Sequence, residues 1–137
     1  MDIQIKGRLP IAWLEIITGV GIILFWIGFF TVGLAPETPP EGYFVFEHSF
    51  PPPDCILSIV LIIAGVLLIK ERYGGIVLSL VASGGLMFLG ILDASFNIQN
   101  GMYSITPLDT VLNAFINLWC FGFGLVTACI MGKQTSP

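Results

Sequence analysis

The side chains that could take part in chemistry in this sequence include two acids within long apolar stretches. Glu15 lies in the first stretch, and Asp93 lies near the end of the third. An ionisable group inside a membrane is costly and is therefore a functional candidate, either as a proton or cation carrier or as part of a polar ligand pocket. If the chain moves ions, Glu15 or Asp93 is the residue expected to couple to them.

Polar residues recur at helical spacing on the third and fourth apolar stretches. Asp93 and Asn97 fall on one face of the third stretch. Asp109, Asn113 and Asn117 fall on one face of the fourth. Amide side chains in lipid need partners across a helix interface, so the two faces are expected to pack together. These groups either form structural hydrogen bonds between helices or line a polar pocket for a ligand.

The stretch YFVFEHSFPPPD, residues 43–54, is too short to cross a membrane and is rich in aromatic residues. Its first part, residues 43–50, is called the aromatic segment below. Aromatic side chains are favourable at the headgroup level of a membrane. We expect Pro51–Pro53 to have an extended backbone that leads into the next helix. The aromatic segment is predicted to fold across the end of the bundle as a lid, with Phe side chains between helix ends. The alternative is a surface loop with no ligand beneath it.

The predicted pocket combines this lid with the polar helix faces. The acids expected near Glu47 and His48 are Asp54, Asp93 or Asp109. The predicted ligand-binding residues are Glu47, His48, Asp93, Asn97, Asp109, Asn113 and Asn117.

The elements that must position these groups are transmembrane helices. Of the 137 residues, 55% are hydrophobic and 10% are charged, and the mean hydropathy is +0.94, which indicates an integral membrane protein. Four apolar stretches predict an all-α fold with spans at about 11–34, 54–70, 73–98 and 107–132. Backbone polar groups in lipid are satisfied within helices, so we predict one domain, residues 1–137, built as an antiparallel up-down four-helix bundle.

The charged residues predict the orientation of the bundle. All five basic residues fall on one side of the predicted spans, namely Lys6, Arg8, Lys70, Arg72 and Lys133. The positive-inside rule therefore places both termini in the cytoplasm and the long loop 35–53 outside, most commonly in a plasma or bacterial inner membrane. The net charge of −4 and the lack of a basic stripe exclude nucleic acid as a partner.

Glu15 lies only about 7 Å along the helix from Pro10. It is expected either to reach the cytoplasmic edge, where Lys6, Arg8, Lys70, Arg72 or Lys133 would pair with it, or to act as a proton- or cation-coupled carboxylate. The surrounding WLEIITGVG resembles the arrangement in small multidrug-resistance transporters, which also have four spans and a glutamate in the first helix. The resemblance covers little else, because the outer loop here is far longer, and it does not assign the chain to that family.

Other kinds of chemistry have little support in the sequence. His48 is the single histidine, and there is no C-x-x-C or H-x-x-x-H spacing, so no metal site and no cofactor are predicted. Cys55, Cys120 and Cys129 are expected at different depths, so no internal disulfide is predicted. No Ser-His-Asp order, phosphate loop or nucleotide fingerprint is present.

The sequence leads to one main functional prediction and two alternatives. The main one is a non-enzymatic membrane protein that binds a small amphipathic or lipid-like molecule, or a partner membrane subunit, in the outward-facing polar pocket. The first alternative is a small transporter or channel subunit that uses Glu15 or Asp93, which would require a homo-oligomer because four short helices enclose little room. The second is an enzyme that modifies a lipid through Asp93, Glu47 and His48.

Overall fold

The computed structural model describes residues 4–135, and its regular elements in this range are helices. The five α-helices are α1 Arg8–Thr31, α2 Tyr43–Glu47, α3 Pro51–Ile69, α4 Tyr73–Gln99 and α5 Pro107–Gly132, with a short 3₁₀ turn at Met102–Ser104 between α4 and α5. The structure thus has four helical stretches long and apolar enough to cross a membrane, the second comprising α2 and α3 together. This confirms the prediction of an all-helical protein with four candidate spans.

The observed helix boundaries correct the predicted ones at the first two spans. The first helix begins at Arg8 rather than 11 and ends at Thr31 rather than 34. It ends there because Val32 and Gly33 both donate backbone hydrogen bonds to the Gly28 carbonyl, and Gly33 has a φ of 79°. A glycine with positive φ just after a helix satisfies its last carbonyls without strain.

The prediction of an extended Pro51–Pro53 was wrong, because these residues form the first turn of α3. The first turn of a helix has no use for the backbone N–H that proline lacks, and the fixed φ of proline suits helical geometry. The preceding loop is also more regular than predicted, since α2 forms within it after Gly42, which has a φ of 80°.

The long helices contact one another in chain order, α1 with α3, α3 with α4 and α4 with α5. Glycines allow close approach at these contacts: a Cβ on Gly65 would lie 2.5 Å from the Ala12 carbonyl oxygen, and one on Gly124 would lie 2.9 Å from that of Ser83. Small residues at helix interfaces are typical of membrane proteins, because packing rather than the hydrophobic effect holds their helices together.

Large apolar side chains cover the outside of the molecule, as expected for a surface in contact with lipid. Trp13, Leu24, Phe88 and Leu118 are among the most exposed. Several buried positions are instead polar: Glu15, Ser58 and Ser79 have no exposed surface. Polar groups are therefore concentrated inside the helix packing, in two separate places.

Candidate functional site

The first polar group, here called the acidic cluster, consists of Glu47, Asp54, Asp93, Asn97 and Asn117. Asp54 lies in the first turn of α3, where Pro51–Pro53 place it, and Glu47 ends α2. Asp93 lies on α4, and all three carboxyl groups are close enough to interact electrostatically. Like charges within electrostatic range in a low dielectric repel one another, so ionising all three carboxyl groups together is costly.

Two of these acids are held by hydrogen bonds to neighbouring side chains. The buried Asp54 carboxylate accepts a hydrogen bond of 2.9 Å from the indole Nε1 of Trp26 on α1. Asp93 accepts one of 3.2 Å from the Asn97 amide nitrogen, one turn along α4. Each carboxylate keeps further lone pairs, since an ionised carboxylate accepts at about four sites.

Asn117 links α5 to this cluster. Its amide nitrogen donates a hydrogen bond of 2.6 Å to the Tyr103 hydroxyl, and its side chain lies beside Asp93. Asn117 is 6% exposed, yet its Oδ1 atom has no hydrogen-bond partner. A buried carbonyl oxygen without a partner costs free energy, so it marks a place where a donor would be bound favourably.

The aromatic segment packs on the long helices and contributes Glu47 to the acidic cluster. The Phe46 ring stacks on that of Phe96 with centroids 3.9 Å apart and an angle of 7° between the planes. Tyr43 and Phe50 are buried in an apolar group that also contains Trp26. The structure therefore places aromatic side chains of the segment against α1 and α4.

The structure brings together only part of the predicted ligand-binding set. Glu47, Asp93, Asn97 and Asn117 belong to the acidic cluster. The remaining three make other contacts, although Asp109, like Glu47 and Asp93, lies within electrostatic range of Tyr43.

His48 is exposed and packs on aromatic rings, with its own ring 5.7 Å from that of Phe30. Thr106 is the N-cap of α5: its hydroxyl accepts a hydrogen bond from the Asp109 backbone N–H and donates one of 2.7 Å to the Asp109 carboxylate. Asn113 is half-buried one turn before Asn117. Asp109 thus has a local structural partner, as the capping position predicts.

Sequence reasoning did not assign Trp26, Tyr103 or Cys120 to the site. Cys120 is buried and lies near Asp54 and Asp93. A signal for it existed, because it lies three positions after Asn117 and therefore on the same face of α5. The Trp26–Asp54 and Tyr103–Asn117 pairs join separate elements, and local spacing carries no signal for them.

Glu15 lies in the second polar group, far along α1 from Trp26. It is fully buried, and neither of its carboxyl oxygens has a hydrogen-bond partner. The expected pairing with a basic residue is not formed: Arg8 instead pairs with Glu71 in the turn between α3 and α4. Glu15 lies beside the Ser79 hydroxyl of α4, so it faces the packed interior rather than the membrane edge.

The end of the molecule opposite the acidic cluster is basic. A surface cavity of about 370 Å³ there is lined by the residues from Gln4 to Pro10 and by Glu71. A second surface depression is lined by Lys6 and Lys133, so the start of α1 lies near the end of α5. The molecule is therefore electrostatically polarised along the helix axes.

Within residues 4–135, no group of three or more His, Cys, Asp or Glu side chains is placed to hold a metal ion. Cys55 and Cys129 are exposed, Cys120 is buried, and all three are free thiols. The acidic cluster offers carboxyl and amide groups for electrostatic attraction and hydrogen bonding.

Comparison with known proteins gives one match. Residues 6–131 match a family model described as "Domain of unknown function (DUF8058)". No curated protein and no solved structure matches the chain. The matched range contains the acidic cluster, the aromatic segment and Glu15.

Proposed function

The chain belongs to the DUF8058 family, whose description names no activity, and we propose from its geometry that it is a membrane protein that binds a small, positively charged amphipathic molecule at the acidic cluster. The aromatic segment would cover the bound molecule. The role is non-enzymatic, because the cluster offers attraction and hydrogen bonding without an arrangement for nucleophilic attack.

The observation that carries the proposal is the closeness of Glu47, Asp54 and Asp93 without a basic residue beside them. The sequence contains no Lys or Arg from position 9 to 69 or from 73 to 132. Charges buried without an opposite charge are costly, and cationic side chains that could offset them lie at the other end of the molecule. A bound ammonium-type group would supply the missing positive charge.

The surroundings of the acids favour an organic cation over a bare ion. Two aromatic side chains neighbour the acids: Trp26 donates a hydrogen bond to Asp54, and Tyr43 is within electrostatic range of Glu47 and Asp93. Aromatic faces attract cations, and their edges pack on apolar groups. The unpartnered oxygen of Asn117 could accept a hydrogen bond from the same ligand. Ligand sites commonly combine an apolar lining with a few polar groups that fix orientation.

Access to the cluster would require the aromatic segment to move. It is joined to α1 by residues 32–42, which include glycines with positive φ at Gly33 and Gly42, and to α3 by the short stretch 48–50. Covering segments of this kind open and close around ligands in many proteins. The stacking of Phe46 on Phe96 is the contact that would break on opening.

We infer an up-down arrangement with both termini and the basic residues on the cytoplasmic side. Support comes from the contacts: Gly65 meets Ala12 while Gly19 meets Ser58, so positions later in α1 lie against positions earlier in α3. The Arg8–Glu71 pair brings the start of α1 to the α3–α4 turn. With basic residues favouring the cytoplasm, the aromatic segment and acidic cluster face outward.

The test uses two probes of the same shape and opposite charge, tetraphenylphosphonium and tetraphenylborate. Binding to the full chain in nanodiscs of zwitterionic lipid would be measured by equilibrium dialysis, with empty nanodiscs as the baseline. We expect saturable binding of the cation alone, weakened about tenfold or more by Asp93→Asn or Asp54→Asn, since a tenfold change corresponds to about 1.4 kcal/mol.

The matched control is Glu41→Gln, which removes one acid from the loop before the aromatic segment but outside the acidic cluster, where Glu41 is exposed. It should leave the affinity for the cation unchanged. Equal binding of the anion, or cation binding that is insensitive to both Asp variants, would refute the proposed site.

A further inference from the structure

The interior of the helix packing contains several polar side chains that lack partners. Glu15, Ser58, Ser79 and Thr127 each have side-chain oxygens without a hydrogen-bond partner, and each residue is at most 2% exposed. They come from four different long helices, α1, α3, α4 and α5. Buried polar atoms are nearly always paired in proteins, so these unpaired oxygens need an explanation, of which a bound ion is one.

Three of these residues lie at a common depth. Counted from the basic ends of their helices, Glu15 lies seven residues from Arg8, Ser79 six from Tyr73 and Thr127 five from Gly132. At 1.5 Å per residue these positions are roughly 8 to 10 Å along their helices. Ser58 lies eleven residues from Ile69, roughly 16 Å by the same rule, and is therefore deeper.

The helix contacts agree with this alignment. The Ser79 hydroxyl lies beside the Glu15 carboxyl. On α5, Gly124 contacts the Ser83 carbonyl while Gly90 contacts Asn117, so Thr127 lies against the part of α4 just before Ser83, which contains Ser79. We name Glu15, Ser79 and Thr127 the Glu15 cluster.

We infer that the Glu15 cluster is a binding site for a small monovalent cation, of which Na⁺ is the one that we propose. The carboxylate of Glu15 would supply the negative charge, and the hydroxyl oxygens of Ser79 and Thr127 would be neutral ligands. Hard cations take oxygen ligands of these kinds, and they bind where several such atoms converge. One carboxylate balances one positive charge, which favours a monovalent over a divalent ion.

This site differs from the acidic cluster in position and chemistry. It lies toward the basic end of the molecule, whereas the acidic cluster lies at the other ends of the same helices. Its three proposed ligands are a carboxyl group and two hydroxyl groups, so the ligand atoms are hard oxygens. The inference therefore does not depend on the proposed ligand at the acidic cluster.

A second observation separates the cation site from a purely structural buried acid. The acids Asp54 and Asp93 each accept a hydrogen bond from a neighbouring side chain, Trp26 for the first and Asn97 for the second. The polar neighbour of Glu15 is the Ser79 hydroxyl, and neither the carboxyl oxygens nor that hydroxyl has a partner that meets hydrogen-bond distance and angle. Both side chains therefore keep lone pairs that a bound ion could use.

The experiment measures ²²Na⁺ binding to the purified full chain in detergent, in a buffer whose other cation is choline. We expect saturable binding that unlabelled Na⁺ displaces and choline does not. Glu15→Gln should abolish it, and Ser79→Ala and Thr127→Val should each weaken it on the order of tenfold, the usual size of the effect of altering a metal's supporting groups.

Three controls make the test specific to the Glu15 cluster. Ser58→Ala removes an equally buried and equally unpartnered hydroxyl outside the cluster, and Thr31→Val removes a threonine hydroxyl that bonds to its own helix. Both should leave Na⁺ affinity within about twofold, because distant sites act independently. Asp93→Asn should also leave it unchanged, which excludes Na⁺ binding at the acidic cluster.

Folding of the variants is checked through the wild-type protein's own response to Na⁺. A ligand that binds the folded state raises the unfolding temperature, so Na⁺ but not choline should raise the Tm of the wild type. The variants of the Glu15 cluster should fold and lose this rise. Absence of saturable Na⁺ binding in the wild type, Na⁺ binding that survives Glu15→Gln, or loss with Asp93→Asn in place of Glu15→Gln would each overturn the inference.

Discussion

The hydrogen bond from the Trp26 indole N–H stabilises the buried carboxylate of Asp54. Its two ends are 28 residues apart and join α1 to the first turn of α3. Trp26 is 6% and Asp54 7% exposed, so water does not readily replace the indole N–H. Losing a donor to a buried charged group costs more than losing a bond between neutral groups.

We therefore predict that Trp26→Phe lowers the stability of the chain. The phenyl ring keeps most of the apolar contact but leaves Asp54 without its donor, at a cost of about 1–3 kcal/mol. Thermal unfolding in detergent, followed by the near-ultraviolet circular dichroism signal, would measure the change. Trp13→Phe is the control, because Trp13 is 57% exposed and faces outward; an equal loss of Tm in both variants would contradict the role given to the indole N–H.

The sequence predicted part of the site at this scale, for a physical reason. Asp93, Asn97 and Asn117 were found because helical periodicity places residues on a common face. Asp54 with Trp26, and Asn117 with Tyr103, were not found, because long-range pairing between elements leaves no local pattern. Glu15 was expected either to reach the membrane edge, from its depth alone, or to act as a coupled carboxylate, and depth does not determine which neighbours a helix face meets.

At the scale of helices, glycines set how closely α1 and α3 pack. A Cβ on Gly65 would lie 2.5 Å from the Ala12 carbonyl oxygen and 2.7 Å from a side-chain carbon of Ile16. The carbonyl belongs to helix backbone and cannot rotate away. The two helices would have to separate to admit even one methyl group.

Gly65→Ala should accordingly destabilise the folded chain, by about 1–3 kcal/mol as for other overpacked interiors. Gly84→Ala is the matched control on α4, because no atom lies within 4 Å of the position its Cβ would occupy. That variant should be neutral or stabilising, since alanine is the better helix former by about 1 kcal/mol. Denaturant unfolding of both variants would give the comparison, and equal effects would mean that close packing at Gly65 does not matter.

The aromatic segment is held to the long helices chiefly through its rings. Phe46 stacks on Phe96, whereas Phe44 is 46% exposed. Phe46→Ala should therefore loosen residues 43–50, seen as faster hydrogen exchange of their backbone amides by mass spectrometry, and Phe44→Ala should have a smaller effect. Slow exchange in both variants would show that the segment is held by contacts other than this stack. Losing a stacked aromatic pair costs about 0.5–1.5 kcal/mol of stability, in addition to the cost of exposing apolar area.

The helices themselves were largely predictable, and the departures from prediction have local causes. Long apolar stretches gave four candidate spans because a membrane selects for length and hydropathy. The helix α2 was not predicted, because aromatic composition indicates an interfacial position but says nothing about backbone conformation. Proline's preference for an extended backbone led to the prediction for Pro51–Pro53, although the first turn of a helix accommodates proline equally well.

For the whole molecule, the separation of charge along the helix axes is the organising feature. Basic residues occur at the start of α1, in the α3–α4 turn and after α5, while the acidic cluster lies at the other ends of these helices. The two proposed sites lie toward opposite ends of the molecule: the organic cation would bind at the acidic end, and Na⁺ would bind toward the basic end. The possible homo-oligomer stays a prediction. The Glu15 cluster consists of residues from a single chain.

Our last prediction concerns orientation, which follows from this charge separation. In a variant without native cysteines, single cysteines would be introduced by Glu41→Cys before the aromatic segment, Lys70→Cys in the α3–α4 turn and Thr135→Cys after α5. A membrane-impermeant maleimide added to intact cells should label the first and should reach the other two only after permeabilisation, because basic residues are retained in the cytoplasm. Labelling of the Lys70 and Thr135 variants from opposite sides would rule out the up-down arrangement, since its four spans place the α3–α4 turn and the chain's end together. Labelling of both from outside would show the opposite orientation, with the acidic cluster toward the cytoplasm. The organic cation would then have to bind from the cytoplasmic side.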